Sequence, residues 1–290
     1  MKTVVAVGYD RTLPGERALG VAAREAAHRG GSLVVITAYH WPPPPEPDEL
    51  TAADAEATAR KAAEEIAQHG AARARPRHPD LPVETRAVAG YAGRVLASAS
   101  HEADLLVVGD RGTGGFQGML LGSTSLRTLA EACCPVIVVR GNALDAHHRV
   151  LAAVDIDENC DPVLDFAFDE ASRRGSGLTV IHVWDEPWIA AYGRQDPGIA
   201  DDVARIERER DDRLAALVRS FHERYPETRP FHQIAAGSAA GLLVDASHRA
   251  DLIVTGARRH GEGRHGMLLG PVTQALLRHA ECPVAVVPLS

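Results

Sequence analysis

Short apolar runs alternate with longer stretches of helical periodicity along the first half of this chain. Thr3–Gly8, Ser32–Ala38, Val83–Ala89, Leu105–Val108 and Val136–Val139 read as strands. Between them, Pro14–Arg29 sets Leu19, Ala22, Ala23 and Ala26 on one face, with Pro14 at a starting position and Gly30-Gly31 as the stop. The stiff polyproline segment WPPPPEP is followed by an Ala/Glu-rich helix from about Asp48 to His69. Gly93–His101 and Ser123–Ala132 predict two more helices. Apolar strands joined by helical crossovers form a parallel sheet covered on both faces, the α/β class. In such a sheet, ligands sit beyond the carboxyl ends of the strands. The positions to watch are therefore Asp10, Ala38 and the loop that begins at Gly109.

The second half repeats this order. GYAGRVLASASHEADLLVVG at 90–109 returns as GSAAGLLVDASHRADLIVTG at 237–256, with 11 of 20 positions identical. GMLLGSTSLRTLAEACCPVIVV at 118–139 returns as GMLLGPVTQALLRHAECPVAVV at 266–287, with 12 of 22 identical. A period this long is a duplicated domain, not a solenoid repeat. The polar stretch Gly141–His148 marks the join, which predicts domains at 1–145 and 146–290.

Composition narrows the chemistry. The 290 residues carry a net charge of −8, which argues against a dedicated nucleic-acid binder. Apolar residues make up 45% and charged residues 24%, a globular composition. The apolar run at the N-terminus is too short for a signal peptide, and no stretch is long enough to span a membrane. Four cysteines with no C-x-x-C spacing suit a reducing cytoplasm. Lys2 and Lys61 are the sole lysines, and no P-loop motif occurs.

Residues 109–124, GDRGTGGFQGMLLGST, concentrate glycine at 109, 112, 114, 115, 118 and 122 in one strand-to-helix connection. Without Cβ atoms, backbone N–H groups can close on an anion, and the following helix aims its positive dipole end at the same place. A hydroxyl at Ser123 or Thr124 can bond a phosphate or cap that helix.

Gly109, Gly112, Gly122 and Ser123 fit G-x2-G-x9-G-[ST], and here the chain resembles the universal stress protein family over nearly its whole length, in two copies. The strand-end aspartate of that family matches Asp10 in VAVGYD and Asp155 in LAAVDID. The resemblance implies two doubly wound domains, each a five-stranded parallel sheet of order 3-2-1-4-5. It implies ATP, accompanied by Mg²⁺ or another divalent ion, with adenine near Ala38 and the ribose by Asp10 and Gly8. The phosphates would meet the Gly109–Gly115 backbone, including Gly114 and Gly115, and the Gly122–Thr124 turn. Arg111 either helps neutralise them or is merely solvated. The fifth strands, Val136–Val139 and Val284–Val287, would pair the two lobes, and a further homodimer and a regulatory protein partner fit the same picture.

In the second copy the loop reads GARRHGEGRHGMLLGPV. Gly256 and Gly270 are kept, and Asp155 and Val183 stand for Asp10 and Ala38. Arg259 replaces the second glycine, unless the register moves to Gly261, and Pro271 replaces Ser123. Proline suits a first helical position but removes a hydroxyl and an N–H, so this site is expected to hold nucleotide weakly or not at all. Arg258 and Arg259 leave room for another anion. Residues 261–266 also match G-x-G-x-x-G, but that fingerprint belongs after a first strand.

The other signals are weaker. His147-His148, His260, His265 and His279 have no metal-ligand spacing. Asp155, Asp157 and Glu158 bind a divalent ion or are solvated loop carboxylates. Cys134 and Cys282 suit buried core positions, and DDVARIERERDDR at 201–213 suits a charged helix face. The S-G-G-x-D-S and H-x-G-H motifs of related α/β enzymes are missing, as is the strand-five lysine of a phospho-receiver. No motif places a nucleophile or general base by the loop. The expected function is thus a regulatory ATP-binding protein of the stress response. The competing readings are a slow ATPase and a structural or partner-binding tandem without nucleotide.

Overall fold

The computed structural model describes residues 2–40, 49–112, 121–141, 147–184, 197–259 and 266–289. The chain folds as two compact units, Met1–Arg140 with Arg259–Leu268, and Gly141–Arg258 with Leu269–Ser290.

In the first unit β1 (Val4–Gly8), α1 (Leu13–His28), β2 (Ser32–Tyr39), α2 (Glu49–Ala74), β3 (Val83–Ala89), α3 (Ala92–Ala99), β4 (Leu105–Gly109), α4 (Ser123–Glu131) and β5 (Val136–Val139) follow one another. The sheet runs β3-β2-β1-β4-β5, and every pair is parallel. Val5, Val7, Leu33, Val35, Leu105, Leu106 and Ile137 are buried, as strands covered on both faces require. The sequence reading places the elements correctly and misjudges ends. The second helix runs five residues past His69, to Ala74, and the third stops at Ala99, two residues short of His101.

The second unit repeats the plan with β6 (Arg149–Val154), α5 (Asp161–Arg174), β7 (Gly177–Trp184), α6 (Pro197–Arg224), β8 (Arg229–Ala236), α7 (Ala239–Ser247), β9 (Leu252–Arg259), α8 (Pro271–His279) and β10 (Val284–Leu289). Its parallel order is β8-β7-β6-β9-β10. The duplication extends to single hydrogen bonds. Asp104 Oδ2 accepts from Val4 N at 2.8 Å, and Asp251 Oδ2 accepts from Arg149 N at 2.8 Å. Ser100 Oγ accepts from Cys133 N at 2.9 Å, and Ser247 Oγ accepts from Glu281 N at 2.9 Å. Each bond fixes the entry to a strand, so the repeated sequence encodes repeated local geometry as well as repeated burial.

Candidate functional site: a cleft at the carboxyl ends of the first unit's strands

At the end of β1 the chain turns sharply into α1. Arg11 takes a left-handed conformation, φ 62°. Asp10 Oδ1 accepts from Thr12 N at 3.0 Å and from Thr12 Oγ1 at 2.5 Å. Thr12 caps α1 in turn, its Oγ1 accepting from Gly15 N at 3.2 Å. This chain of bonds fixes the Asp10 carboxylate at the strand end. Glycines let the neighbouring backbone close in. A Cβ on Gly15 would lie 2.5 Å from Asp10 Oδ1, and one on Gly112 would lie 3.1 Å from Asp10 Oδ2. A Cβ on Gly109 would lie 2.9 Å from the Pro14 carbonyl carbon.

The described ends of the glycine loop are tied together. Gly122 N donates to Asp110 O at 2.7 Å, and Asp110 N donates to Val139 O at 3.2 Å. Ser125 Oγ donates to Gly109 O at 2.6 Å, pinning the first turn of α4 to the end of β4. Gly122 is the N-cap of α4, with no side-chain cap bond, so Ser123 is the first helical residue and not the cap. Leu126 N is the first helical amide to bond back, to Gly122 O, and the amides of Ser123, Thr124 and Ser125 are left at the positive end of the helix.

These pieces enclose a cleft of about 420 Å³. Gly8, Asp10, Ala38, Gly109, Arg111, Gly112, Gly122, Ser123 and Thr124, all named from the sequence, line it together. Gly114 and Gly115 lie outside the described residues. Arg111 is on the wall, largely exposed, 3.5 Å from Asp110 Oδ2. Ile36, Thr37, Ile66, Ala92, Leu96 and Val108 also line the cleft and were not foreseen. Apolar lining comes from Ile36 and Ala38 of β2, Ile66 of α2, Ala92 and Leu96 of α3 and Val108 of β4, and polar lining from Asp10, Thr37 and the first turn of α4. The cleft therefore combines apolar lining, which suits a flat apolar group, with a helix N-terminus, which suits an anion.

Beneath it, buried Tyr9 ties α1 to α2. Its hydroxyl lies 2.5 Å from Glu16 Oε1 and 2.8 Å from His69 Nδ1. Burial, and then the Glu16 carboxylate, push the Tyr9 phenol well above its usual range. It donates to Glu16 and accepts from His69.

The second unit keeps the frame. Asp155 Oδ1 accepts from Asp157 N at 3.1 Å, as Asp10 does from Thr12. Thr273 Oγ1 donates to Gly256 O at 3.1 Å, as Ser125 does to Gly109. Gly270 is the N-cap of α8 and Pro271 is its first residue, as proline's geometry dictates. Val183 pairs with Ala235 in β8, as Ala38 pairs with Val88 in β3. However, β9 stays extended through Arg259, where β4 ends at Gly109, and Gly261 lies outside the described residues.

Arg210, Arg213 and Arg258 of the second unit are each engaged by its own carboxylates. Arg210 of α6 lies over the Trp184 ring at 5.4 Å, donates to Asp157 Oδ2 at 2.9 Å and reaches His182 Nε2 at 3.1 Å. Arg213 takes the other Asp157 oxygen at 2.8 Å. The Arg210 guanidinium holds the Asp157 carboxyl below its usual range. Arg258, expected to leave room for an anion, is instead bonded to Glu158. Asp155, Asp157 and His182 bring ligand-type atoms within 4.8 Å of one another, but guanidinium groups already serve as the cations there. His147, His148 and His279 join no such cluster among the described residues, and His260 and His265 lie outside them.

Comparison with known proteins shows the same duplication. The family model described as "Universal stress protein family" matches residues 1–140 and again 147–288. A universal stress protein of Mycolicibacterium smegmatis is 32% identical over 302 aligned residues, covering 98% of this chain and 96% of the relative. One from Mycobacterium tuberculosis is 32% identical over 299, covering 97% and 96%. The crystal structure of a universal stress protein from Archaeoglobus fulgidus superposes with a TM-score of 0.66 at 20% identity, covering 98% of both chains, a likeness of fold. With both halves matched and near-full-length relatives in hand, the chain belongs to the universal stress protein family, as a tandem of two such domains.

Proposed function

We propose that this protein is a regulatory ATP-binding protein of the stress response, with the nucleotide held mainly by the first domain, residues 1–145, and weakly or not at all by the second, residues 146–290. The observation that carries the reading is the cleft itself. It joins apolar lining at Ile36, Ala38 and Ile66 to a turn where Gly122 N closes on Asp110 O and α4 presents its first amides. The fit to a nucleotide is a matter of donor chemistry and space. Cβ atoms at Gly109 or Gly112 would strike the α1 entry or Asp10, so glycine there lets the backbone after β4 lie close beside the Asp10 carboxylate and the start of α1. Adenine would rest beside Ala38, the ribose by Asp10 Oδ2, and the phosphates against Gly109–Gly112 and the Gly122–Thr124 turn. Arg111 adds positive charge at that end. A divalent ion accompanies the triphosphate, because amide dipoles poorly offset its charge.

In the second domain Pro271 removes one amide and one hydroxyl, and Arg210 and Arg258 are engaged by Asp157 and Glu158. Binding in the first domain would fix the glycine loop, and a protein partner would read that conformation. The four cysteines form no disulfide, which suits the cytoplasm. No helix among the described residues is long and apolar enough to cross a membrane.

The test is calorimetry with ATP and Mg²⁺ on the whole chain, beside Ser123→Pro. That substitution copies the second domain's own helix start, so it removes the hydroxyl and amide without disturbing the fold. One site per chain, weakened roughly 10-fold or more in the variant, supports the reading. Two sites would mean the second domain also binds. No binding by folded protein would leave a structural or partner-binding tandem, and steady ADP release would make the protein a slow ATPase.

A further inference from the structure

The first unit carries an exposed aromatic pair that its fold does not require. At the carboxyl end of the sheet, Gly90 N donates to Tyr39 O at 2.7 Å, joining the ends of β2 and β3. Gly90, at φ +136°, then turns the chain so that Tyr91 becomes the N-cap of α3. Tyr91 is 62% exposed and makes no side-chain cap bond. Its ring stacks on His40, centroids 4.2 Å apart at 28°. Tyr91 adjoins Ala92 and His40 lies two residues past Ala38, and both alanines line the cleft.

The second unit supplies the control. Gly237, at φ +131°, donates to Trp184 O at 3.0 Å and leads to an N-cap at Ser238. The same turn and the same helix start are built there with a serine. Neither the backbone nor the cap therefore calls for an aromatic ring, and a ring left in water at this position gains nothing from burial. The ring is found in the unit with the intact glycine loop.

We infer that Tyr91, backed by His40, is a stacking surface for the nucleobase of a nucleotide held in the first unit's cleft. This rests on the reading of that cleft as a nucleotide site. The π-face of Tyr91 would cover the base where it emerges past Ala38 and Ala92, with His40 fixing the plane of the phenol. Stacking reads the flat face of a base and not its edge, so it adds affinity for any nucleobase and none for a bare phosphate chain.

The experiment titrates the whole chain with ATP and, separately, with inorganic tripolyphosphate, both with Mg²⁺. The variants are Tyr91→Ser, which copies the second unit's cap and so folds, Tyr91→Phe and His40→Ala. Tyr91→Ser should weaken ATP binding roughly 5- to 100-fold. Tyr91→Phe should bind within about 2-fold of the parent, and His40→Ala should fall between, because Phe keeps the π-face and His40 only braces it. Tripolyphosphate affinity should not change in any of them. ATP binding that is unchanged in Tyr91→Ser overturns the stacking surface while leaving the cleft intact. An equal loss for tripolyphosphate also overturns it, since the effect would then be structural. Failure of the parent chain to bind either compound overturns the nucleotide reading itself, and the stacking surface with it.

Discussion

Thr37 and His182 do the same structural task in the two units. Thr37 Oγ1 donates to Tyr9 O at 3.0 Å, and His182 Nδ1 donates to Val154 O at 3.2 Å. Both groups hold the end of the first strand to the second, one with a small hydroxyl and the other with a ring. A carbonyl only accepts and a guanidinium only donates, so His182 carries its proton on Nδ1 and offers a lone pair at Nε2 to Arg210. The ring therefore works only when neutral, and its burial holds the imidazole below its ordinary 6.5.

From this follows a pH dependence of the second unit. The unfolded chain binds a proton at His182 more readily than the folded one, so stability rises with pH across that window. The contribution is whole above the ordinary imidazole range and is lost as pH falls below it. Thermal unfolding between pH 7.5 and 5.5 should show a steeper fall in Tm for the parent than for His182→Gln, which cannot charge. Equal slopes would mean that His182 does not titrate against folding. Asp157 acts in a separate, more acidic window, since its carboxyl is depressed and its support fades only as it becomes protonated.

Two arginines of α6 should behave differently although both are ion-paired. Arg205 bonds Asp202 and Glu209 on the same exposed helix face, with 56% of its side chain in water. Arg210 is 22% exposed and meets a buried imidazole and a strand-end carboxylate. Arg210→Ala leaves His182 Nε2 as a buried acceptor without its donor, at a cost of about 1–3 kcal/mol. Arg205→Ala should leave the urea midpoint unchanged, because exposed pairs contribute little. Urea unfolding of both variants checks the contrast.

The residues legible in the sequence share one property. Asp10, Ala38, Gly109, Gly112 and Gly122 are strand ends or glycines, and both are visible as breaks in a local pattern. Ile66 and His69 were not legible, because α2 is rich in alanine and charge and shows no marked apolar face. Arg210 was hidden for a related reason. Its segment reads as a charged helix face, and only the packing of α6 against β8 and α5 carries Arg210 to Asp157 and His182, and Arg213 to Asp157. Local pattern shows where the chain turns, but the rotation of a helix about its own axis is set by tertiary packing.

Gly109, which ends β4, and Gly256, its counterpart inside β9, should not tolerate alanine equally. A Cβ on Gly109 would meet Pro14 at 2.9 Å from its carbonyl carbon, which is fixed backbone at the start of α1. A Cβ on Gly256 would meet the Leu289 side chain at 2.9–3.0 Å, which can rotate away. Gly109→Ala should therefore destabilise the first unit by about 1–3 kcal/mol, and Gly256→Ala should cost less. Hydrogen exchange read on α1 and β4 peptides, and separately on β9 and β10 peptides, resolves the two units. It also shows why Gly109→Ala is a poor probe of nucleotide binding, since it would disturb the cleft through α1.

The cysteines divide by burial. Cys134 and Cys282 each precede a Pro-Val step into a final strand, and both are buried. Burial pushes both thiols up to about 12. At pH 8 a thiol of that pKa is thiolate in about one molecule in ten thousand, and the thiolate is the nucleophile. Cys160 is also buried, and its thiol is raised mainly by the same loss of hydration. Cys133 is the partly exposed member of the four, with its Sγ 3.6 Å from His101 Nε2. Brief alkylation of the native chain with iodoacetamide at pH 8, followed by peptide mass spectrometry, should label Cys133 at least 100-fold faster than Cys134 or Cys282. In urea all four should react at similar rates, because the difference lies in burial and not in the local sequence. Fast native labelling at Cys134 would mean that the β5 entry opens readily, and the Cys133 N to Ser100 Oγ bond that closes it would then be the contact to mutate next.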